Sequence, residues 1–143
     1  MPDTYIVGFD GTAQAGRAVD YAAARAKASG AQLHLVHVIE WSPYSFHTPE
    51  ELAERHGRRE QELDRANAIT QPVVDELKEA GLDATCEIRH GNAAELLCKI
   101  ATENDADQII IGRTGDSVFA QRLLGGLAIT LAQAAPLPVT ILP

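Results

Sequence analysis

Five short apolar segments alternate with four helical patterns along this 143-residue chain, and that alternation limits the fold more than any other feature. The apolar segments are rich in β-branched residues and are bounded by turn residues, as buried strands are. Strands that alternate with helices form parallel sheets through right-handed crossovers, with helices on both faces. The sequence therefore predicts a single-domain α/β fold over residues 1–143, an open five-stranded parallel sheet in the strand order 3-2-1-4-5.

Hydrophobic periodicity and turn residues place the individual elements. Thr12 and Asn92 precede helical patterns as N-caps, and Gly30 ends the first helix. The predicted strands are residues 5–10, 32–39, 82–89, 107–111 and 139–142, and the predicted helices are 13–29, 49–80, 93–103 and 125–135. Residues 41–48 combine proline with aromatics and predict an irregular flap. The charged run 50–60 predicts a solvated helix face, with partner binding as the alternative.

Composition excludes several classes of function. A net charge of −8 and a pI near 5.0 argue against nucleic acid and against anionic membrane surfaces, which attract clustered Lys and Arg. The chain has no apolar run of the roughly 18 residues that a membrane span needs, and no secretory signal is visible. Cys86 and Cys98 lack C-x-x-C spacing, so we expect buried thiols and a cytoplasmic location.

A glycine-rich stretch follows the fourth predicted strand and precedes the last helix. Gly112-Arg113-Thr114-Gly115 is followed by nine residues and then by Gly125-Gly126. Glycine lets backbone N–H groups approach a ligand closely, and the first turn of a helix attracts anions. The stretch predicts a phosphate cradle, and tight turns without a ligand are the alternative. The predicted donors are the N–H groups of Gly115, Gly125, Gly126 and Leu127, and the nearby cations are Arg113 and Arg122.

The acidic residue of greatest interest is Asp10, at the end of the first strand. In the order 3-2-1-4-5, strands 1 and 4 are neighbours where the order reverses, so Asp10 and Gly112 lie side by side at the edge where ligands bind. A carboxylate there can accept hydrogen bonds from ribose hydroxyls or hold Mg²⁺ against phosphates. The alternative is a turn in which Asp10 bonds to Thr12.

Motifs of the common nucleotide enzymes and hydrolases are missing. The chain has no G-x-x-x-x-G-K-[ST] string, no G-x-G-x-x-G after the first strand and no G-x-S-x-G elbow. His34 and His37 differ by an odd number on one strand, so they point to opposite faces and cannot share a metal. Without a visible nucleophile–base pair we expect little or no catalysis.

The chain resembles the universal stress protein family nearly from end to end. The resemblance lies in Ile6–Thr12, Leu33–Val38, Gly91–Glu95 and Ala135–Val139, and in the G-x2-G-x9-G spacing of Gly112, Gly115 and Gly125. It implies a nucleotide-binding domain that dimerises through its last strand, binds ATP or AMP and hydrolyses ATP at most very slowly. The Mg²⁺ that could accompany the phosphates is expected at Asp10, from the chemistry of its carboxylate. By this resemblance Asp10 lies near the ribose and phosphates, and Val38 contacts adenine through its backbone. The predicted site is Gly8, Asp10, Val38, Gly112, Arg113, Gly115, Gly125, Gly126 and Leu127.

Two departures from that family pattern weaken the predicted phosphate contacts. Gly126 stands where ATP-binding members carry Ser or Thr, and Ala128 stands where Ser is frequent. A hydrogen bond to a charged acceptor contributes roughly 1.5–3 kcal/mol, so ATP would bind about tenfold more weakly without that hydroxyl. We expect a stress-related regulatory protein that binds an adenine nucleotide. The alternative is a nucleotide-free interaction protein that acts through a protein partner. In either case we expect a homodimer through residues 139–142, because this apolar strand would otherwise be an unprotected edge.

Overall fold

The computed structural model describes residues 2–40, 49–113 and 126–143. The predicted flap at 41–48, together with Gly115, Arg122 and Gly125, lies outside the described residues. Five strands and four helices alternate within these ranges, as the sequence predicts. In chain order they are β1 (Thr4–Gly8), α1 (Ala13–Ser29), β2 (Gln32–Ile39), α2 (Pro49–Glu79), β3 (Ala84–His90), α3 (Ala93–Glu103), β4 (Gln108–Gly112), α4 (Gly126–Ala134) and β5 (Val139–Leu142).

The sheet is parallel, and its strand order is β3-β2-β1-β4-β5, which confirms the predicted topology. Strand β1 pairs with β2 on one side and with β4 on the other. The order therefore reverses at β1, and the carboxyl ends of β1 and β4 are adjacent. In open sheets of this kind the reversal leaves a crevice beyond the strand ends, where ligands bind.

Helix α1 begins and ends as its sequence predicts. The Thr12 hydroxyl accepts a hydrogen bond from the Ala15 backbone N–H at 3.2 Å, so Thr12 is the N-cap. At the other end Gly30 has a φ of +77°, a left-handed conformation that glycine adopts without strain. The face that α1 buries is made of small apolar side chains, namely Ala15, Ala18, Val19, Ala22 and Ala26. These small residues let α1 pack close to the sheet.

The core consists of two apolar layers, one on each face of the sheet. Helices α1 and α2 cover one face, where Val74 and Leu77 of α2 pack against Leu33 and Leu35 of β2. Helices α3 and α4 cover the other face, and their buried residues include Leu97, Ile100, Ala101 and Leu131. Helices on both faces explain why β1 and β4 are apolar in successive positions rather than alternating.

The two histidines of β2 lie on opposite faces, as predicted. On the α3 side, His34 Nδ1 lies 2.6 Å from the Thr85 hydroxyl, and His34 Nε2 lies 2.8 Å from a Glu87 carboxylate oxygen. Arg89 donates from Nε to the other oxygen of Glu87 at 3.0 Å. On the opposite face His37 points toward α2. The polar cluster around His34 covers the part of the β2–β3 face that faces water.

Helix α2 is much longer than the strand it covers, and its two halves differ. Its buried stripe is Ala66, Thr70, Val74 and Leu77. Residues 57–62 before this stripe are exposed, which confirms the predicted solvated face for that part of the charged run. The first half of α2 therefore extends beyond the sheet on the side of the crevice, because helices in βαβ units begin at the carboxyl ends of the strands.

Both cysteines are free and half-buried, so the prediction of buried thiols is wrong in degree. Cys86 is on the edge strand β3, which has a neighbouring strand on one side only. Cys98 lies on the flank of α3, beside the fully buried Leu97. Partial burial raises the pKa of both thiols. Among the described residues, no helix combines the length and apolar character that crossing a membrane requires.

Candidate functional site

The turn between β1 and α1 holds Asp10 in a defined position. One carboxylate oxygen, Oδ1, accepts hydrogen bonds from the Thr12 backbone N–H at 3.0 Å and from the Thr12 hydroxyl at 2.6 Å. The predicted alternative for Asp10, a turn closed onto Thr12, is therefore confirmed. Within the described ranges no group donates to the other oxygen, Oδ2. The turn thus uses half of the carboxylate and leaves the other half for a ligand.

Gly112 ends β4 next to this turn, and its lack of a side chain has a steric reason. A Cβ at Gly112 would lie 2.9 Å from the backbone carbonyl carbon of Gln14 and 2.9 Å from its Cβ. Such distances are too short for carbon atoms, so only glycine permits this approach of α1 to β4. The first glycine of the predicted motif therefore brings the first turn of α1 against the end of β4.

Gly8 has a similar but softer constraint one strand away. A Cβ there would lie 3.0 Å from Ile111 Cγ2 and 3.7 Å from Leu97 Cδ1, both on flexible side chains. The Phe9 N–H donates to the Val36 carbonyl at 2.9 Å and prolongs the contact of β1 with β2. Gly8 thus shapes the end of β1 and the way into the turn that carries Asp10.

The first turn of α1 presents a positive end to the crevice. The Ala15 N–H is satisfied by the Thr12 hydroxyl, and the Gly16 N–H by the Thr12 carbonyl. In the described part of the chain the Ala13 and Gln14 N–H groups have no acceptor. Free N–H groups at a helix start carry partial positive charge and stabilise anions nearby.

The start of the glycine-rich stretch is held by β5. The Arg113 backbone N–H donates to the Leu142 carbonyl at 2.6 Å, while the Arg113 side chain is exposed. Helix α4 begins at Gly126, whose φ of +26° is a conformation that L-residues with side chains rarely adopt. Leu127 is half-buried against the α3 side of the core. The roles predicted for Gly115 and Gly125 lie outside the described residues.

Helix α2 contacts the crevice from the other side of the turn. Gly11 has a φ of +84°, and a Cβ on it would lie 3.0 Å from Ile69 Cγ2. Ile69 is 39% exposed, whereas the next residue, Thr70, is fully buried. His37 Nδ1 lies 3.4 Å from the Thr70 hydroxyl. Burial lowers the pKa of His37, and the negative charge of Asp10 acts in the opposite direction.

Sequence reasoning missed this α2 side of the crevice. The alternation along β2 places His37 and Val38 on opposite faces at the carboxyl end of the strand, and Val38 packs half-buried on the α3 side. The strand pattern therefore could have indicated that His37 lies near Asp10. Nothing in the sequence indicated which turn of α2 would meet it. Ile69 and Thr70 were for that reason not among the predicted site residues.

The described residues bring Gly8, Asp10, Val38 and Gly112 to one edge of the sheet. They contain no cluster of three or more His, Cys, Asp or Glu side chains that could hold a metal ion. Asp10 offers one free carboxylate oxygen. Mg²⁺ in proteins is commonly held by one or two carboxylates together with phosphate oxygens of the substrate. The arrangement therefore fits Mg²⁺ only as a companion of a bound phosphate.

Comparison with known proteins agrees with this geometry. The family model described as "Universal stress protein family" matches residues 1–143. A protein of Thermus aquaticus described as "Universal stress protein in QAH/OAS sulfhydrylase 3'region" is 31% identical over 145 residues, with 99% of this chain and 98% of the relative covered.

Two solved structures share the fold over nearly the whole chain. The crystal structure of a universal stress protein in complex with cAMP is 28% identical and superposes with a TM-score of 0.70, covering 99% of this chain and 96% of that one. The structure of the hypothetical protein MJ0577 is 22% identical, with a TM-score of 0.79 and the same coverage of the two chains, 99% and 96%. The family model spans residues 1–143 and the Thermus aquaticus relative is 31% identical over nearly its whole length, so the chain belongs to the universal stress protein family.

Proposed function

We propose that this protein binds an adenine nucleotide, ATP or AMP, in the crevice between the β1–α1 turn and the end of β4. The observation that carries the proposal is the approach of α1 to Gly112, where a Cβ would lie 2.9 Å from Gln14. This approach sets free N–H groups and a half-used carboxylate at the point where the strand order reverses. A relative that is 28% identical was crystallised with cAMP, which supports an adenine nucleotide as the ligand.

The two polar features of the crevice suit different parts of a nucleotide. Asp10 Oδ2 can accept hydrogen bonds from ribose hydroxyls without releasing the bonds that Oδ1 accepts from Thr12. The N–H groups at the start of α1 and α4 favour the phosphates. With ATP, Mg²⁺ would neutralise phosphate charge, held by Asp10 and phosphate oxygens. Val38, at the end of β2, stands on the side proposed for adenine.

We expect the protein to act by binding and not by turnover. Such a protein would report nucleotide levels under stress through its bound state, with at most very slow hydrolysis. We also propose a cytoplasmic location, because both cysteines are free and a reducing compartment keeps them so. The missing hydroxyl at Gly126 lowers the expected affinity for ATP by about tenfold.

The first experiment asks whether nucleotide is present and whether it binds. Freshly purified protein is denatured, the released small molecules are chromatographed, and AMP, ATP and cAMP are then titrated calorimetrically into nucleotide-free protein. We expect a released adenine nucleotide or measurable binding of at least one of the three. Absence of both would contradict the proposal and favour the nucleotide-free interaction protein.

A substitution pair tests whether Asp10 takes part. Asp10→Asn keeps an oxygen for Thr12 but replaces Oδ2 by an amide that cannot accept from a ribose hydroxyl, so we expect AMP to bind roughly tenfold more weakly. Asp83→Asn is the matched control, because Asp83 is an exposed carboxylate just before β3, at the opposite edge of the sheet. Equal affinities for the two variants would remove Asp10 from the site.

We further propose a homodimer formed through β5, residues 139–142. The strand is an edge of the sheet, carries no charged side chain and leaves Ile141 37% exposed. The other edge, β3, carries the ion-paired Glu87 and Arg89. Charged side chains protect an edge from pairing, and an apolar edge invites it. We expect Ile141→Lys to halve the mass measured by light scattering, while Thr85→Lys on β3 leaves it unchanged. A monomeric parent protein would contradict the dimer.

A further inference from the structure

His37 is a polar side chain in a layer that is otherwise almost wholly apolar, and the fold makes little use of it. The buried residues of this face are apolar, and they include Leu33 and Leu35 of β2 and Val74 of α2. Its one hydrogen-bond partner in the described structure is the Thr70 hydroxyl, at a long 3.4 Å. Its Nε2 has no partner among the described residues. The fold alone therefore gives no reason for an imidazole at this position.

The position matters because of what lies beside it. The Phe9 N–H donates to the Val36 carbonyl at 2.9 Å, so the chain leading to Asp10 continues along β2 as far as His37. The negative charge of Asp10 favours the protonated form of His37. Asp10 is the carboxylate on which the proposed nucleotide site depends, and the nucleotide brings further negative charge to a protein whose net charge is already −8. A carboxylate close to a phosphate costs binding free energy unless a positive charge offsets it.

We propose that His37 supplies this positive charge: an anionic nucleotide binds in the crevice together with a proton, which His37 takes up and holds beside Asp10. The inference rests on the proposed function. It assigns His37 the role of a positioning residue that couples nucleotide affinity to pH. The affinity for phosphate-bearing nucleotides should depend on this proton, and the affinity for adenosine, which carries no charge, should not.

The contact with Thr70 suits a histidine that changes its charge. A hydroxyl can donate to the neutral imidazole nitrogen and can accept from the protonated one. Thr70 is fully buried, so its hydroxyl is shielded from bulk solvent. Burial lowers the pKa of His37 in the free protein, and a phosphate arriving on the side of Asp10 raises it again. Burial therefore favours the neutral imidazole in the free protein, and the ligand favours the charged one.

The other titratable groups on this face are few. On β3, Cys86 lies two residues before Ile88 and His90 two residues beyond it. Ile88 is the register partner of His37, so both are its diagonal neighbours on this face. His90 Nε2 faces Glu62 of α2, with 3.4 Å between Nε2 and the nearer carboxylate oxygen. The buried face of α1 is alanine and valine. Because Glu62 lies against His90, Asp10 is the acidic group that acts on His37.

The experiment measures AMP and adenosine affinity between pH 8 and pH 6, without Mg²⁺, for the parent protein, His37→Gln and His34→Gln. His34 is on the same strand but on the opposite face, so it is the matched control. AMP itself takes up a proton near pH 6, but it does so alike for all three proteins. We expect AMP to bind the parent protein and His34→Gln about fivefold more tightly at pH 6 than His37→Gln does, and the gap to close at pH 8.

A second measurement uses the parent protein alone, so it tests the inference even when His37→Gln folds poorly. The His37 ring resonances of the parent protein are followed against pH by NMR, with and without AMP, and an upward displacement of its titration by AMP supports the inference. Identical titrations with and without AMP, or equal pH dependence in the parent protein and His37→Gln, would overturn it. A His34→Gln variant that binds AMP at pH 6 no more tightly than His37→Gln does would also overturn the inference. If neither AMP nor adenosine binds at any pH, the proposed function itself fails.

Discussion

The two halves of the crevice are built in opposite ways. On the β1–α1 side, side chains set the geometry, because Asp10 accepts two hydrogen bonds from Thr12, and Thr12 caps α1. On the β4 side the geometry depends on a side chain that is absent, since Gly112 leaves room for the backbone of Gln14. One half depends on hydrogen bonds that polar residues make. The other half depends on the space that the missing side chain of Gly112 leaves for α1.

This difference predicts different responses to substitution. Hydrogen bonds can be removed one at a time, and each loss costs an amount of free energy comparable to one cap or one turn. A steric contact between backbone segments leaves no such gradation, because neither segment can rotate away as a side chain can. The β4 half should therefore tolerate the smallest change, one methyl group, worse than the β1 half tolerates the loss of a hydroxyl.

Gly112→Ala should have the largest effect. The added methyl meets backbone atoms of Gln14 at 2.9 Å, so we expect the free energy of unfolding to fall by about 2–3 kcal/mol. Gly16→Ala is the matched control, because nothing lies within 4 Å of a Cβ at this helical position. There we expect a gain of about 0.5–1 kcal/mol. Urea unfolding measures both, and a similar value for the two variants would show that α1 does not press on Gly112.

Thr12→Ala should have the next largest effect. It removes the hydroxyl that accepts from the Ala15 N–H and donates to Asp10, so α1 loses its cap and the turn loses one bond. We expect a loss of about 1–2 kcal/mol in the free energy of unfolding. Asn92→Ala removes a cap alone, the bond that Asn92 Oδ1 accepts from the Glu95 N–H at 3.0 Å, and should cost about 1 kcal/mol. Thr12→Ser should keep most of the stability. A Thr12→Ala loss no larger than that of Asn92→Ala would mean that the Asp10–Thr12 bond adds nothing.

The same contrast decides how much the sequence could predict. Strand order, helix faces and both N-caps were predictable, because periodicity and polar cap residues encode them locally. The turn at Asp10 was predictable as one of two alternatives, the other being a ligand contact, because a carboxylate two residues before Thr12 bonds to it readily. The clash that a Cβ on Gly112 would cause was not, because it depends on the distance between two segments about 98 positions apart in the printed sequence. The meeting of Thr70 with His37 was unpredictable for the same reason.

Gly126 also belongs to the β4 half. Its missing side chain affects both the backbone conformation at the start of α4 and the predicted contact with phosphate. With φ at +26°, any side chain should cost about 1 kcal/mol of unfolding free energy. Gly126→Ser supplies the hydroxyl that the family resemblance predicts at this position, and Gly126→Ala bears the backbone cost alone. We expect equal stabilities for the two variants and ATP affinity severalfold higher for Gly126→Ser. Calorimetric titration of ATP measures this, and equal affinities would mean that this position does not contact phosphate.

The smallest expected effect concerns the pH dependence of stability on the β1 side. Burial lowers the pKa of His37 below its ordinary value of 6.5, against the opposing influence of Asp10. As pH falls below 6.5, the unfolded chain therefore binds the proton more readily than the folded one. The free energy of unfolding should then decrease with falling pH and level off below the folded pKa. His37→Gln should lack this decrease, and Asp10→Asn should enlarge it, because it removes the charge that favours the imidazolium.

Urea unfolding at intervals between pH 8 and pH 5 measures this effect, with His34→Gln as the control on the other face of β2. Saturating AMP should reduce the decrease in the parent protein, because a phosphate beside Asp10 favours the charged imidazole in the folded state. The free and the AMP-bound protein would then differ in pH dependence through one side chain. A decrease that AMP leaves unchanged, in a protein that binds AMP, would place His37 outside the electrostatic reach of the nucleotide and confine its influence to the packing of α2 on β2.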